Sequence, residues 1–125
     1  MRLDYFNFEG FENIYLEDSY VLEIKTNSTS VEILLEAVLT EQHSLYTNPR
    51  ENEHYCCKKI VIHFPDVEGV IWIDRKMIPN TDANGEIDFG NIDEFYLEND
   101  FYRLSGEWGE LKIKSAKPTI EYIEN

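Results

Sequence analysis

Apolar and polar residues alternate with a period of two along several stretches of this chain, and turn residues cut each stretch short. A strand sends successive side chains to opposite faces, so the pattern suits a sheet buried on one side and not a helix. Tyr20, Leu22 and Ile24 alternate with Val21, Glu23 and Lys25, and Asn27, Ser28, Thr29 and Ser30 then read as a turn. Ile60, Ile62 and Phe64 alternate with Val61 and His63 until Pro65, Asp66 and Gly69 break the run. Residues 70–73 follow as a continuous apolar strand, so these two runs are expected to pair as a hairpin with a longer loop. Short runs at 92–97, 101–104 and 110–114 are separated by turns at 98–100 and 105–109. They read as a β-meander, with a last strand expected at 120–123.

Residues 30–42 admit two readings. Thr29 and Glu32 make a capping-box pattern, and Val31, Leu34, Leu35 and Val38 fit a helical stripe. As a strand, Val31, Ile33, Leu35, Ala37 and Leu39 share one face, with Glu32, Glu36 and Thr40 on the other. A helix would leave Ile33, Ala37 and Leu39 off its stripe, which favours the strand. The expected fold is one mainly β domain over residues 1–125. It has seven or eight antiparallel strands as a curled sheet, sandwich or partly open barrel, and at most one helix.

Composition bounds the function. The chain has 125 residues, with 11 Lys+Arg against 25 Asp+Glu, a formal net charge of −14. High charge with low hydrophobicity can mean disorder, but disordered chains are poor in aromatics, and this one has 8 Tyr, 7 Phe and 2 Trp. So acidic a chain repels phosphate, which argues against nucleic acid and against anionic membrane surfaces. The N-terminal residues lack the basic and apolar regions of a signal peptide, and no apolar run approaches the ~20 residues of a spanning helix. Adjacent Cys56 and Cys57 are poorly placed to bridge each other, and two thiols suit a reducing compartment. A cytoplasmic location is the expectation.

Residues 80–91 resemble the twelve-residue calcium loop of EF-hand proteins. Asp82 and Asn84 stand at its third and fifth positions, Gly85 at the sixth, Ile87 at the eighth and Asp88 at the ninth. Asn80 and Asn91 replace the acids of the first and twelfth positions, and Pro79 precedes the loop where a helix should enter. A polar loop turning at Asn84 and Gly85 is therefore expected, with no bound metal or other cofactor. The cluster Glu51, Asn52, Glu53, His54, Tyr55, Cys56, Cys57 is dense in potential ligands, and His43 and His63 could join it at a zinc ion. Structural zinc sites draw on separated ligand pairs such as CxxC, which are missing here, so a structural role without metal is expected. A Cys-His nucleophile is conceivable, but positive charge to activate a thiol is scarce beyond Lys58 and Lys59. The phosphate-loop, HExxH, GxSxG and kinase motifs are absent from the sequence, and an enzyme is not expected.

The acids gather at Glu51 and Glu53, from Asp82 to Asp88, at Asp93 and Glu94, at Glu98 and Asp100, and at Glu121 and Glu124. Several flank aromatics: Glu94 and Glu98 beside Tyr96, Asp100 beside Tyr102, and Glu107 and Glu110 about Trp108. Glu94, Tyr96, Glu98, Asp100, Tyr102 and Trp108 are thus candidates for an acidic, aromatic-anchored surface that docks a basic protein. Trp108, between Gly106 and Gly109, is also expected to fold back onto the meander. The bland account of the charge is solubility and blunted sheet edges.

The stretches Asp93-Glu94-Phe95-Tyr96 and Tyr102-Arg103-Leu104-Ser105-Gly106-Glu107-Trp108-Gly109-Glu110-Leu111-Lys112-Ile113 resemble small bacterial all-β domains. Some of these are grouped with the immunity proteins of polymorphic toxin systems. The resemblance implies an inhibitor that binds one toxin and does no chemistry, and acidity would suit a basic nuclease target. The competing readings are a small-molecule or metal-ion binding barrel with an aromatic-rich pocket, and an enzyme built on His43, His63, Cys56 and Cys57.

Overall fold

Val31, Ile33, Leu35, Ala37 and Leu39 are all buried along one side of a nine-residue strand, so residues 31–39 take the extended reading and not the helical one. The structure, a computed structural model, describes residues 2–49, 51, 55–83 and 85–123. Asn52, Glu53, His54, Asn84 and Glu124 lie outside the described residues. The strands are β1 (Arg2–Asp4), β2 (Ile14–Thr26), β3 (Val31–Leu39), β4 (Cys56–Phe64), β5 (Gly69–Arg75), β6 (Asn80–Thr81), β7 (Ile87–Asp88), β8 (Glu94–Glu98), β9 (Phe101–Gly106), β10 (Gly109–Lys114) and β11 (Thr119–Tyr122). No α-helix occurs among the described residues, only a 3₁₀ turn at Tyr5–Asn7. The count exceeds seven or eight because β1, β6 and β7 have three residues or fewer.

Two open antiparallel sheets carry the fold, one in the order β1-β8-β9-β10-β5 and the other β11-β4-β3-β2. The β8-β9-β10 meander is as the sequence predicts. The hairpin expected between β4 and β5 is not formed: β4 pairs with β3 and β11, whereas β5 pairs with β10. The loop through Pro65, Asp66 and Val67 carries the chain from one sheet to the other, with Asp66 at φ +51°. The last strand likewise leaves the meander and pairs with β4. At the far edge, β2 is covered by residues 89 and 90, as the Val21 N–H donates to the Gly90 carbonyl (2.8 Å) and the Phe89 N–H to the Val21 carbonyl (2.8 Å).

The sheets share one core. Phe64 of β4 packs on Phe95 and Tyr102 of the other sheet, with Phe8 and Phe11 completing the aromatic cluster. In β2 the buried face is Ile14, Leu16, Ser19 and Val21; of Tyr20, Leu22 and Ile24 only Ile24 packs against the core, because two register irregularities change the phase of the alternation. Ser19 is satisfied there: its hydroxyl donates to the Tyr15 carbonyl and accepts from the Val38 N–H. Trp108 folds back as expected and is fully buried, its Nε1–H donating to the Asn91 carbonyl at 3.0 Å. Its neighbours must be small. A Cβ at Gly106 would lie 2.0 Å from the Asn91 oxygen, and Gly109, at φ +128°, would put one 2.3 Å from the Asp74 oxygen.

Candidate binding surface

Period-two alternation decides which residues of the meander reach solvent. On β9, Tyr102 and Leu104 point inward and Arg103 outward; on β8, Phe95 is buried while Glu94 and Glu98 are exposed. The six candidates therefore divide. Glu94, Tyr96, Glu98 and, in the next turn, Asp100 are exposed or half-buried. Tyr102 and Trp108, at 4% and 0% exposure, belong to the core and cannot anchor a partner without unfolding. Burial also raises the Tyr102 hydroxyl above its ordinary pKa.

The outer face around Tyr96 is not purely acidic. The Arg2 guanidinium lies 3.8 Å from the Tyr96 ring centroid and pairs with Glu94 and Asp4, each at 3.0 Å. Arg103 pairs with Glu110, and the Lys112 ammonium sits 4.2 Å from the Phe101 centroid. Cations thus interleave with the acids here, which weakens this face as an acidic patch.

Uncompensated acid collects elsewhere, around Gly90 and Asn91. The Asn91 side-chain amide donates to the Glu17 carbonyl (2.8 Å) and to the Asp93 carboxylate (2.9 Å). Gly90 donates its N–H to the Asp88 carboxylate (2.8 Å) and lies against the Glu107 side chain. Asp88, Asp93 and Glu107 come from the 88–93 segment and the β9–β10 turn, and none is in an ion pair among the described residues; the Glu17 carboxylate instead accepts the Tyr5 hydroxyl (2.6 Å), and only the Glu17 backbone carbonyl reaches Asn91. Sequence spacing does not reveal this arrangement, since it depends on residues 89 and 90 pairing with β2.

The calcium-loop candidates serve their own hairpin. Asp82 accepts the Gly85 N–H on its carbonyl and the Glu86 N–H on its carboxylate (2.9 Å), and Gly85 takes φ +81°. Asp88 is turned to Gly90, and Asn84 lies outside the described residues. No group of three or more His, Cys, Asp or Glu placed to hold a metal ion occurs among the described residues.

Among the described residues, Cys56, Cys57 and His63 stand on β4 and His43 in the segment between β3 and β4. Cys56 is buried and its sulfur accepts the Thr47 N–H (3.4 Å), whereas Cys57 faces the opposite side of β4. His63 stands on the outer face between Glu32 of β3 (2.9 Å) and Glu121 of β11 (3.0 Å), a cross-strand ladder. His43 accepts the Leu45 N–H at Nδ1, so its proton sits on Nε2 and is donated to the Tyr122 hydroxyl at 2.7 Å. Burial holds this imidazole below its ordinary pKa.

A cleft of about 550 Å³ opens between the sheets at their β1 and β11 edges. Leu3, Phe8, Leu97, Tyr102, Ile120 and Tyr122 form its wall, with Asn7, Glu9 and Lys117 at the rim. It exists because β1 and β11 are three and four residues long and leave the sandwich unclosed there. Among the described residues no helix is long and apolar enough to cross a membrane. Comparison with protein-family models, with curated proteins and with solved structures returned no match to this chain.

Proposed function

We propose that the chain is a non-enzymatic binding protein that docks a basic protein, in the manner of a toxin-immunity inhibitor. The observation that carries this is the segregation of charge. Asp88, Asp93 and Glu107 gather about Gly90 and Asn91 without an ion pair among the described residues, while Arg2, Arg103 and Lys112 sit on the outer face of the β8-β9-β10 meander. Such a field speeds encounter with a positive surface and rejects a negative one. The acids are held by a hydrogen-bonded backbone, so little order would be lost on docking. The test is co-purification with the product of the adjacent gene, in low and high salt. The complex should weaken with salt, and Asp93→Lys with Glu107→Lys should abolish it while the fold persists. Binding indifferent to salt and to both substitutions would overturn the reading.

The cleft favours a second reading, a small uncharged apolar ligand. Its volume falls in the range of ligand sites, and its wall is aromatic and aliphatic. Nile red should gain fluorescence on the native protein and lose that gain with Leu97→Arg. An unchanged dye spectrum on native protein would eliminate this reading.

A further inference from the structure

Tyr102 carries a buried hydroxyl that the packing leaves unmet. The residue is 4% exposed, and Phe8, Phe64 and Phe95 surround its ring. Its hydroxyl nevertheless makes no hydrogen bond among the described residues. Buried hydroxyls are ordinarily paired, because an unmet one forfeits the hydrogen bonds it had in water. The other buried hydroxyls of this core obey that rule. Tyr5 donates to the Glu17 carboxylate (2.6 Å) and accepts the Leu16 N–H (3.1 Å), and Ser19 is met on both sides. Tyr102 differs in that it borders the cleft between the sheets.

A second hydroxyl reaches the same cleft from the other sheet. The Tyr122 oxygen accepts the His43 Nε2–H at 2.7 Å, which leaves its own O–H to donate. Leu3, Phe8, Leu97 and Ile120 make the rest of the wall hydrocarbon, and the charges of Glu9 and Lys117 stand at the rim with opposite signs. From this arrangement we infer that the ligand of the cleft is an uncharged apolar molecule bearing a carbonyl oxygen, that of a ketone, ester or amide, which accepts the Tyr102 O–H. The inference rests on the cleft being a site for an uncharged apolar ligand, and it adds the one polar group that orients such a molecule. A plain hydrocarbon would seal the Tyr102 hydroxyl from water without a partner. A carboxylate would set its charge against an uncharged wall in a chain of −14. A donor group would meet a Tyr122 oxygen already engaged by His43.

The test is competition against Nile red on the full chain by two probes of matched shape, 2-acetonaphthone and 2-ethylnaphthalene, which differ by the ketone oxygen. Tyr102→Phe should weaken the ketone about fivefold or more and leave the hydrocarbon unchanged or tighter, so the oxygen is read from the double difference. On the wild type the ketone C=O stretch should move to lower wavenumber than in hexane, and on Tyr102→Phe it should return. Without ligand, Tyr102→Phe should melt no lower than the wild type, since the hydroxyl it removes has no protein partner. Equal responses of the two probes to Tyr102→Phe, or an unshifted stretch, would overturn the carbonyl assignment and leave the apolar cleft standing. A markedly lower melting temperature for Tyr102→Phe would overturn it too, by showing that the hydroxyl serves the fold. Native protein that gives no dye signal removes the cleft reading itself, and the assignment with it.

Discussion

Trp108 joins three parts of the molecule through one ring. It lies edge-on to Trp72 at 6.0 Å between centroids, donates to the Asn91 carbonyl, and leaves its own carbonyl to accept the Lys76 and Met77 N–H groups. Trp108→Ala should cost about 3–5 kcal/mol in urea denaturation, through lost burial and the cavity left behind. An unchanged midpoint would contradict the packing. His43 offers a second residue-level test. Burial lowers its folded-state pKa, and protonating Nδ1 would also remove the acceptor for the Leu45 N–H. The unfolded chain then takes up a proton first as pH drops below about 6.5, so this stabilisation is complete above that pH and declines beneath it. The melting-temperature advantage of the wild type over His43→Gln should therefore shrink between pH 7.5 and pH 5. An advantage independent of pH would show that His43 does not titrate in this window.

At the scale of elements, β3 and β2 make an instructive pair. In β3 the alternation runs unbroken from Val31 to Leu35, and every residue that the strand reading placed inside is buried. In β2 the apolar alternation of Tyr20, Leu22 and Ile24 does not mark one buried face, since only Ile24 packs against the core. The register irregularities between Tyr15 and Tyr20 and between Val21 and Glu23 turn Val21 inward and leave Tyr20 about half exposed. Val21→Asp should unfold the domain or lower its melting point sharply, since it buries an unpaired carboxylate, whereas Tyr20→Asp should cost only about 0.5 kcal/mol. Equal losses would mean that the phase shift is absent. For Tyr102 the signal was available in its parity with Leu104, an obvious core residue. Its acidic neighbour Asp100 drew the sequence reading outward instead.

For the whole molecule, the excess of 14 negative charges opposes compaction and acts over distances that salt can screen. Raising sodium chloride from ~10 mM to ~200 mM shortens the screening length from ~30 Å to under 10 Å. The melting temperature should rise over that interval. A melting point that falls with salt would mean that specific ion pairs, such as Arg103 with Glu110, outweigh the general repulsion. The same charge is placed unevenly by the fold, which sets acids around Asn91 and cations on the outer face of the meander. Composition alone cannot show that arrangement.

The local periodicity of the sequence determined the antiparallel strands and the meander, because each follows from interactions between near neighbours in the chain, whereas the burial of Trp108 also draws on distant Asn91 and Trp72. Only the tertiary structure decided that β4 and β5 part into different sheets, that the final strand leaves the meander, and that the Asn91 amide bridges the Glu17 carbonyl and the Asp93 carboxylate. Those contacts join residues distant in sequence, and their choice depends on which sheet faces can bury together. The edge of β5 belongs to the same class. Its isoleucines stand in an apolar run, and the packing of Val70 and Trp72 against the core leaves Ile71 and Ile73 on the exposed face.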